Sequence, residues 1–359
     1  MTNPLKFIRP SVRAIKPYFM SEQTYRIKLN QNENPFDLPA SLKQEILRSF
    51  ETVAWNRYPS FTTDKLRRKI AEIEDVRPEM ILMGNGSNEL LQITCSIILE
   101  PGHNFVTVQP TFQLYEQIGH IFGANLIQLQ MDEELNFPFG QIMALNRSQA
   151  IPLQIYCSPN NPTGSILTLN QIKAILEVAA GIVAIDEAYC DFSRIKATSL
   201  LQKYPNLVLT RTFSKALAMA GFRLGYLIAP EPLAREIYKA KLPYNVDAFS
   251  ELTALAVLNQ PSVVQDQVQR IIGQRDWLMQ KLHALRGVKV YPTQSNFFLL
   301  RTPLSPKVLY RRLLDEAGIL IRNVSANHPL LADKVRISVG TPEENQIFLQ
   351  TLREILGER

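Results

Sequence analysis

Short apolar runs alternate along the chain with stretches of helical period. The runs over 80–83, 104–108, 125–129, 153–156, 182–185, 207–210 and 223–228 are brief and mostly apolar, as buried strands are. Between them, residues 88–99, 112–122 and 169–180 repeat their apolar positions at helical spacing. Alternation of this kind predicts an α/β fold whose mainly parallel sheet is covered on both faces. Past residue 247 the pattern changes. Helical stretches over 250–258 and 262–285 precede strands at 288–290, 296–300, 319–321 and 335–339, which predicts a smaller α+β unit. The expected division is a large domain over 36–247 and a small domain built from 1–35 and 248–359. Its N-terminal part is rich in Pro and Asn and is expected to pack as an arm on another element.

Composition narrows the class. Hydrophobic residues make up 46% of the chain and charged residues 20%, an ordinary globular balance. A length of 359 residues suits about two domains. The net charge is +6, yet Lys and Arg are interleaved with acids, as over 64–77, which predicts a solvated helix face and no nucleic-acid surface. No apolar run approaches the roughly 20 residues of a membrane span. Lys6, Arg9, Arg13 and Lys16 punctuate the start without an apolar core, so no signal peptide is expected. Cys95, Cys157 and Cys190 make neither a disulfide framework nor a metal set, and the four histidines are scattered. The expectation is a cytoplasmic protein that binds no metal, membrane or nucleic acid.

Candidate chemistry changes the picture more. Asn161-Pro162-Thr163-Gly164 follows one strand, Asp186-Glu187-Ala188-Tyr189 a second, and Thr212-Phe213-Ser214-Lys215 a third, with Arg223 eight residues beyond the lysine. In open parallel sheets, ligands sit beyond the carboxyl ends of strands. A lysine amine forms a Schiff base with an aldehyde. Pyridoxal 5'-phosphate needs such a lysine, an acid beside its pyridine nitrogen, and groups to hold its phosphate. Lys215 is the expected lysine and Asp186 the acid. Asn161 and Tyr189 are expected at the phenolic oxygen, and Thr212, Ser214 and Arg223 at the phosphate. Gly84-Asn85-Gly86-Ser87-Asn88-Glu89 opens a helix after a strand, which adds Ser87 and Asn88 to the phosphate site. Tyr115, near a helix start, is the expected ring stacked on the pyridine. Singly, these elements are also what turns, caps and core packing look like; in this order they favour a site. Tyr58, in Arg57-Tyr58-Pro59, falls in a loop-like stretch far from the rest.

On these residues the chain resembles the fold-type I, class I/II family of pyridoxal-phosphate-dependent aminotransferases, over about 29–342. The three motifs and Arg223 mark the superfamily. Leu29-Asn30-Gln31-Asn32-Glu33-Asn34-Pro35, Asn56-Arg57-Tyr58-Pro59, Pro243-Tyr244-Asn245 and Val335-Arg336-Ile337-Ser338-Val339-Gly340-Thr341 resemble its histidinol-phosphate branch. The resemblance implies ping-pong transamination of L-histidinol phosphate with 2-oxoglutarate, carried by Lys215, Asp186 and Tyr189. It implies a homodimer in which Tyr58 reaches the cofactor phosphate of the other subunit. It also implies that Tyr18, Asn30, Arg322 and Arg336 face the substrate. The family often has tyrosine where this chain has Phe112. Threonine-phosphate decarboxylases and broad or aromatic amino-acid aminotransferases of the same fold share much of this pattern. A non-catalytic regulator of that fold carries an added DNA-binding domain, which the N-terminal 40 residues here are not expected to hold, and Lys215 is present.

Overall fold

A computed structural model of the chain describes residues 3–15, 23–193 and 195–358, and Tyr18 lies outside the described residues. Among the described residues, twelve strands form two sheets. In chain order they are β1 (Ile27–Leu29), β2 (Ile81–Gly84), β3 (Asn104–Gln109), β4 (Asn125–Gln130), β5 (Leu153–Cys157), β6 (Ile182–Asp186), β7 (Leu207–Thr212), β8 (Gly225–Ile228), β9 (Lys289–Val290), β10 (Phe297–Arg301), β11 (Ile319–Asn323) and β12 (Lys334–Ser338). The larger sheet has the order β2-β8-β7-β6-β5-β3-β4. Strands β3 to β7 pair in parallel, and β8 runs antiparallel to both its neighbours. The smaller sheet has the order β1-β11-β12-β10-β9, with β1 parallel to β11 and the other pairs antiparallel.

Side chains alternate between the faces of a strand. In the larger sheet, Phe105, Leu153, Ile155, Ala184, Val208 and Leu227 enter one core. Their neighbours Val106, Tyr156, Val183, Ile185, Leu209 and Ile228 enter another. Helices Ser87–Ile98, Leu114–Phe122 and Glu231–Tyr238 contribute to the first core; Ala40–Glu51, Asp64–Glu74, Phe139–Ser148 and Leu169–Val178 contribute to the second. The sheet is thus covered on both faces, as its near-continuous apolar strands require.

The domain division moves. Helix Ala248–Leu258 places Ala254 and Val257 in the second core and packs on helices Ala40–Glu51 and Asp64–Glu74. It is apolar nearly all round, as a helix buried between neighbours is. A boundary at 247 cuts through this packing. We place it after Leu258, so that the smaller unit resumes at the long helix Pro261–His283.

The alternation continues past the last apolar residues of the central strands. Asp186 and Thr210 share the first face, with a hydrogen bond between them; Glu187 and Arg211 share the second. There Arg211 pairs with Glu187 at 2.7 Å and with Glu74, and all three side chains are buried. Tyr226 donates to Glu74 at 3.0 Å, the Ala197 N–H to Glu187 at 2.7 Å, and Arg211 to Thr198 Oγ1 at 2.7 Å. Burial alone would raise the pKa of Glu74, but the Arg211 and Lys196 charges and the hydrogen bonds from Arg211 and Tyr226 together outweigh it and hold that carboxyl below its ordinary value. The cluster ties helix Asp64–Glu74 to the ends of β6 and β7. Arg211→Met would leave two buried carboxylates without their cation, at an expected cost of about 3–5 kcal/mol. A fall in the urea midpoint of the apoprotein measures it; an unchanged midpoint would show that the cluster contributes nothing net.

Candidate active site

The ends of β5, β6 and β7, the start of helix Ser87–Ile98, and the segment after β1 enclose a cavity of about 350 Å³. That volume lies within the range of small-molecule sites. Ser87, Asn88, Asn161, Asp186, Tyr189, Thr212, Ser214, Lys215 and Arg223 line it, and so do Asn30, Arg322 and Arg336. Asn32, Phe112 and Cys157, not individually marked as site residues by the sequence, line it too.

Lys215 is half-buried, and its Nζ donates to the Gln31 carbonyl at 2.9 Å. Burial lowers its pKa to about 8, and the Arg336 guanidinium pushes the same way. An amine so tuned is partly unprotonated, hence nucleophilic, near neutral pH. Asp186 is 3% exposed. Its Oδ2 accepts from the Tyr115 hydroxyl at 2.7 Å; its Oδ1 accepts from the Ala188 N–H at 3.2 Å and the Thr210 hydroxyl at 3.3 Å. Burial raises its pKa, and these donors oppose the rise, Tyr115 foremost. A cation beside the carboxylate would oppose it further.

Arg336 links three parts of the site. It donates to Asn161 Oδ1 at 2.6 Å and to the Asn30 carbonyl at 2.7 Å. With its oxygen so engaged, the Asn161 amide directs its N–H donors elsewhere. Asn30 is buried, and its Oδ1 has no hydrogen-bond partner among the described residues. The Tyr189 hydroxyl accepts from Asn32 Nδ2 at 3.1 Å, which leaves its own proton for another acceptor. Asn32 has a φ of 55°, in the left-handed region that asparagine tolerates. Its sequence signal was the polar run after Leu29, not any single position. Arg322 and Arg336 are direct partners across β11 and β12, so both side chains leave the sheet on one face. Like charges directly opposite are destabilising by themselves, and an anion between them offsets this.

A second anion site is built around glycine. Gly86 has a φ of 80°, and a Cβ there would lie 2.9 Å from Arg223 Nη2. A Cβ on Gly225 would lie 2.5 Å from the backbone nitrogen of Ser87. The helix start and Arg223 therefore close to a distance only glycine permits. Arg223 donates to Ser214 Oγ and to the Ala220 carbonyl, both at 3.1 Å, while the Ser214 N–H donates to Thr212 Oγ1 at 3.1 Å. Backbone N–H groups, two hydroxyls and a guanidinium are the donors a phosphate dianion needs. An anion cradle, a buried carboxylate and a nucleophilic amine in one cavity fit pyridoxal phosphate.

One expected residue takes another place, and one lies where a single chain does not test it. Tyr115 does not line the cavity: its ring is fully buried, and its hydroxyl serves Asp186. The helix begins at Leu114, so its first turn points Tyr115 at the sheet, and Phe112, edge-on to it at 5.8 Å, lines the cavity. Tyr58 lies outside its own chain's cavity. It is 80% exposed and stacked on Tyr244 at 4.5 Å. Among the described residues, no group of three or more His, Cys, Asp or Glu side chains is suited to hold a metal ion, and no helix is long and apolar enough to cross a membrane.

A sequence model of the family described as aminotransferase class I and II matches residues 25–352. The histidinol-phosphate aminotransferase of Chlorobaculum tepidum is 37% identical over 350 residues, which cover 97% of this chain and 100% of that one. Its counterpart in Chlorobium phaeovibrioides is 38% identical over 355 residues, covering 98% of each chain. Among solved structures, the histidinol-phosphate aminotransferase of Sinorhizobium meliloti in complex with pyridoxal-5'-phosphate matches with a TM-score of 0.87 over 97% of both chains. At 21% identity, that likeness shows the fold.

The amine of Lys215 gives a direct test. Trapping of an aldehyde on the apoprotein by cyanoborohydride, quantified at Lys215 by peptide mapping, is expected to rise with pH through a midpoint of about 8. Below that midpoint the ammonium form does not react. A midpoint near the ordinary lysine value of about 10.4 would show that the cavity does not desolvate the amine.

Proposed function

Because this chain belongs to the aminotransferase class I and II family, a family of pyridoxal-phosphate enzymes, we propose that it transfers the amino group of L-histidinol phosphate to 2-oxoglutarate. The observation that carries the choice of substrate is the Arg322–Arg336 pair, two guanidinium groups presented together to one cavity. A tetrahedral phosphate dianion has oxygens for both, and in the second half-reaction the pair serves the carboxylates of glutamate.

The residues divide the work. The bound cofactor supplies an electron-poor ring that stabilises negative charge on the substrate carbon. The helix start at Ser87 and Asn88, with Thr212, Ser214 and Arg223, holds its phosphate. Asp186 presents the anion that keeps its pyridine nitrogen protonated. Asn161 and Tyr189 donate to its phenolic oxygen, and Phe112 supplies an apolar wall. Lys215 anchors the aldehyde carbon through its unprotonated amine. When free, the same amine would take the proton from the substrate carbon that bears the nitrogen and return it two bonds along, at the former aldehyde carbon. A positioned base contributes typically 10²–10⁴-fold. Asn30 and Arg336 hold the substrate side in register with Asn161.

We further propose that the active unit is a homodimer. Trp55, Tyr58, Phe61, Leu242 and Tyr244 expose large apolar surfaces, and Tyr58 and Phe61 both contact the Tyr244 ring. Such a patch marks an interaction surface, and a second copy related by a twofold axis is the occupant that would bring Tyr58 to a cofactor phosphate.

Single-turnover reaction of the holoenzyme with histidinol phosphate, threonine phosphate or phenylalanine tests the substrate. Histidinol phosphate is expected to react fastest; a faster reaction with either of the others replaces the reading. Arg322→Ala should lower kcat/KM for histidinol phosphate by about one to two decades, as loss of a charge-assisted hydrogen bond would. The loss for phenylalanine, whose single carboxylate needs one bidentate partner, should be smaller. Equal losses point to a general aminotransferase. For the dimer, mixing Tyr58→Phe and Lys215→Ala chains should restore activity above the sum of the two, since one site of each hybrid then carries neither change. No restoration despite subunit exchange would show that Tyr58 serves its own chain or none.

A further inference from the structure

We propose that Tyr115 is a positioning residue for Asp186, holding the carboxylate ionised and aimed so that it can keep the cofactor's pyridine nitrogen protonated; the inference rests on the cofactor reading above. Asp186 lies at the floor of the cavity with three protein donors on its two oxygens. The Tyr115 bond, 2.7 Å long, is shorter than those from Ala188 and Thr210, at 3.2 and 3.3 Å. It is also alone on Oδ2 among the described residues. A short O–H···O⁻ bond away from water is the stronger kind. The phenol stays a donor through the working range, because burial, with the Asp186 charge behind it, raises its own pKa well above the ordinary value.

Packing alone does not require this hydroxyl. The Tyr115 ring sits in the core shared with Phe105, Leu153 and Ile155, where phenylalanine would fill nearly the same volume. A tyrosine fully buried among apolar residues carries a desolvated hydroxyl, which is tolerated when a partner satisfies it. Here that partner is the buried carboxylate of the site. Its position on the helix adds a second point. Phe112 lines the cavity and Tyr115 stands behind it, rings edge-on. One turn of chain therefore supports both an apolar wall of the cavity and the anion at its floor.

Tyr115→Phe keeps the ring and removes the donor. Titration of apoprotein with pyridoxal phosphate should show binding roughly tenfold to a hundredfold weaker in this variant. With cofactor labelled with ¹⁵N in the pyridine ring, the nitrogen of the bound parent should stay protonated over a pH range of about 6 to 9. In the variant the shared proton should move toward Asp186, whose carboxylate, without its shortest donor, holds a proton more readily, so the nitrogen resonance should shift toward the unprotonated value. In an Asp186→Asn background, Tyr115→Phe should cause no further loss of affinity, because the two residues act as one unit. Incorporation of 3-fluorotyrosine at position 115, a stronger donor, should tighten binding and gives a second reading if the phenylalanine variant does not fold. Unchanged affinity and an unchanged nitrogen resonance in Tyr115→Phe would overturn the inference. So would an equal loss in the Asp186→Asn background, which would mark Tyr115 as packing only. A parent protein that binds no pyridoxal phosphate overturns the functional reading and this inference with it.

Discussion

Strand β6 runs into two consecutive acids, and the two-residue period of an extended chain sends them to opposite faces of the sheet. Both are buried, and a buried carboxylate is tolerated only with partners of its own. Glu187 faces the side where Arg211 neutralises it together with Glu74. Asp186 faces the side where hydroxyls and a backbone N–H solvate it, with no ion pair among the described residues. One acid is used up in holding the sheet to helix Asp64–Glu74; its neighbour is left with capacity for a positive ligand. A slip of one residue in register would exchange the two environments. The strand pairings that fix that register, Cys157 with Asp186 and Asp186 with Thr210, therefore decide which acid does chemistry.

The larger sheet was legible because its strands are buried on both faces and stand out as apolar runs between helical periods. The chemistry was legible for a related reason: Asp186 closes a strand, and Asn161 and Lys215 follow strand ends, where side chains of a parallel sheet converge. What could not be read depended on helix phase and on neighbours distant in sequence. Tyr115 is expected on the cavity only because it lies near the start of a helix expected over 112–122. The actual start at Leu114 turns it inward and leaves Phe112 at the wall. Helix Ala248–Leu258 has little polar surface to say which layer it joins, and only its packing on helices Ala40–Glu51 and Asp64–Glu74 assigns it. Tyr58 is exposed in its own chain, so no reasoning within one chain could seat it.

Charge carries a similar lesson about scale. An excess of +6 spread over 359 residues says little about a ligand. Within the cavity, however, Lys215, Arg223, Arg322 and Arg336 stand against Glu33 and Asp186. That local excess sits between low-dielectric walls, where it attracts anions most effectively. Arg223 belongs to the glycine-lined cradle and Arg322 with Arg336 to the smaller sheet, so positive charge is gathered at two separate points. A molecule with anionic groups at both ends of its bound assembly is matched by that spacing.

Asn32 accepts on its backbone carbonyl from Asn296, and its N–H reaches Ser338, 306 positions further along the chain. Strand β1, just before it, finds its place only beside β11. During synthesis, the seven strands of the larger sheet emerge and can pair well before that partner exists, since chains fold from the N-terminus as units become available. The stretch from Ile27 to Glu33 is made among the first and must wait, unpaired, for nearly the whole chain. Its docking closes a very long loop, a step that is entropically slow. On a ribosome, then, the cofactor cradle can mature early, while the side of the site that holds Asn30 and Arg336 is completed last.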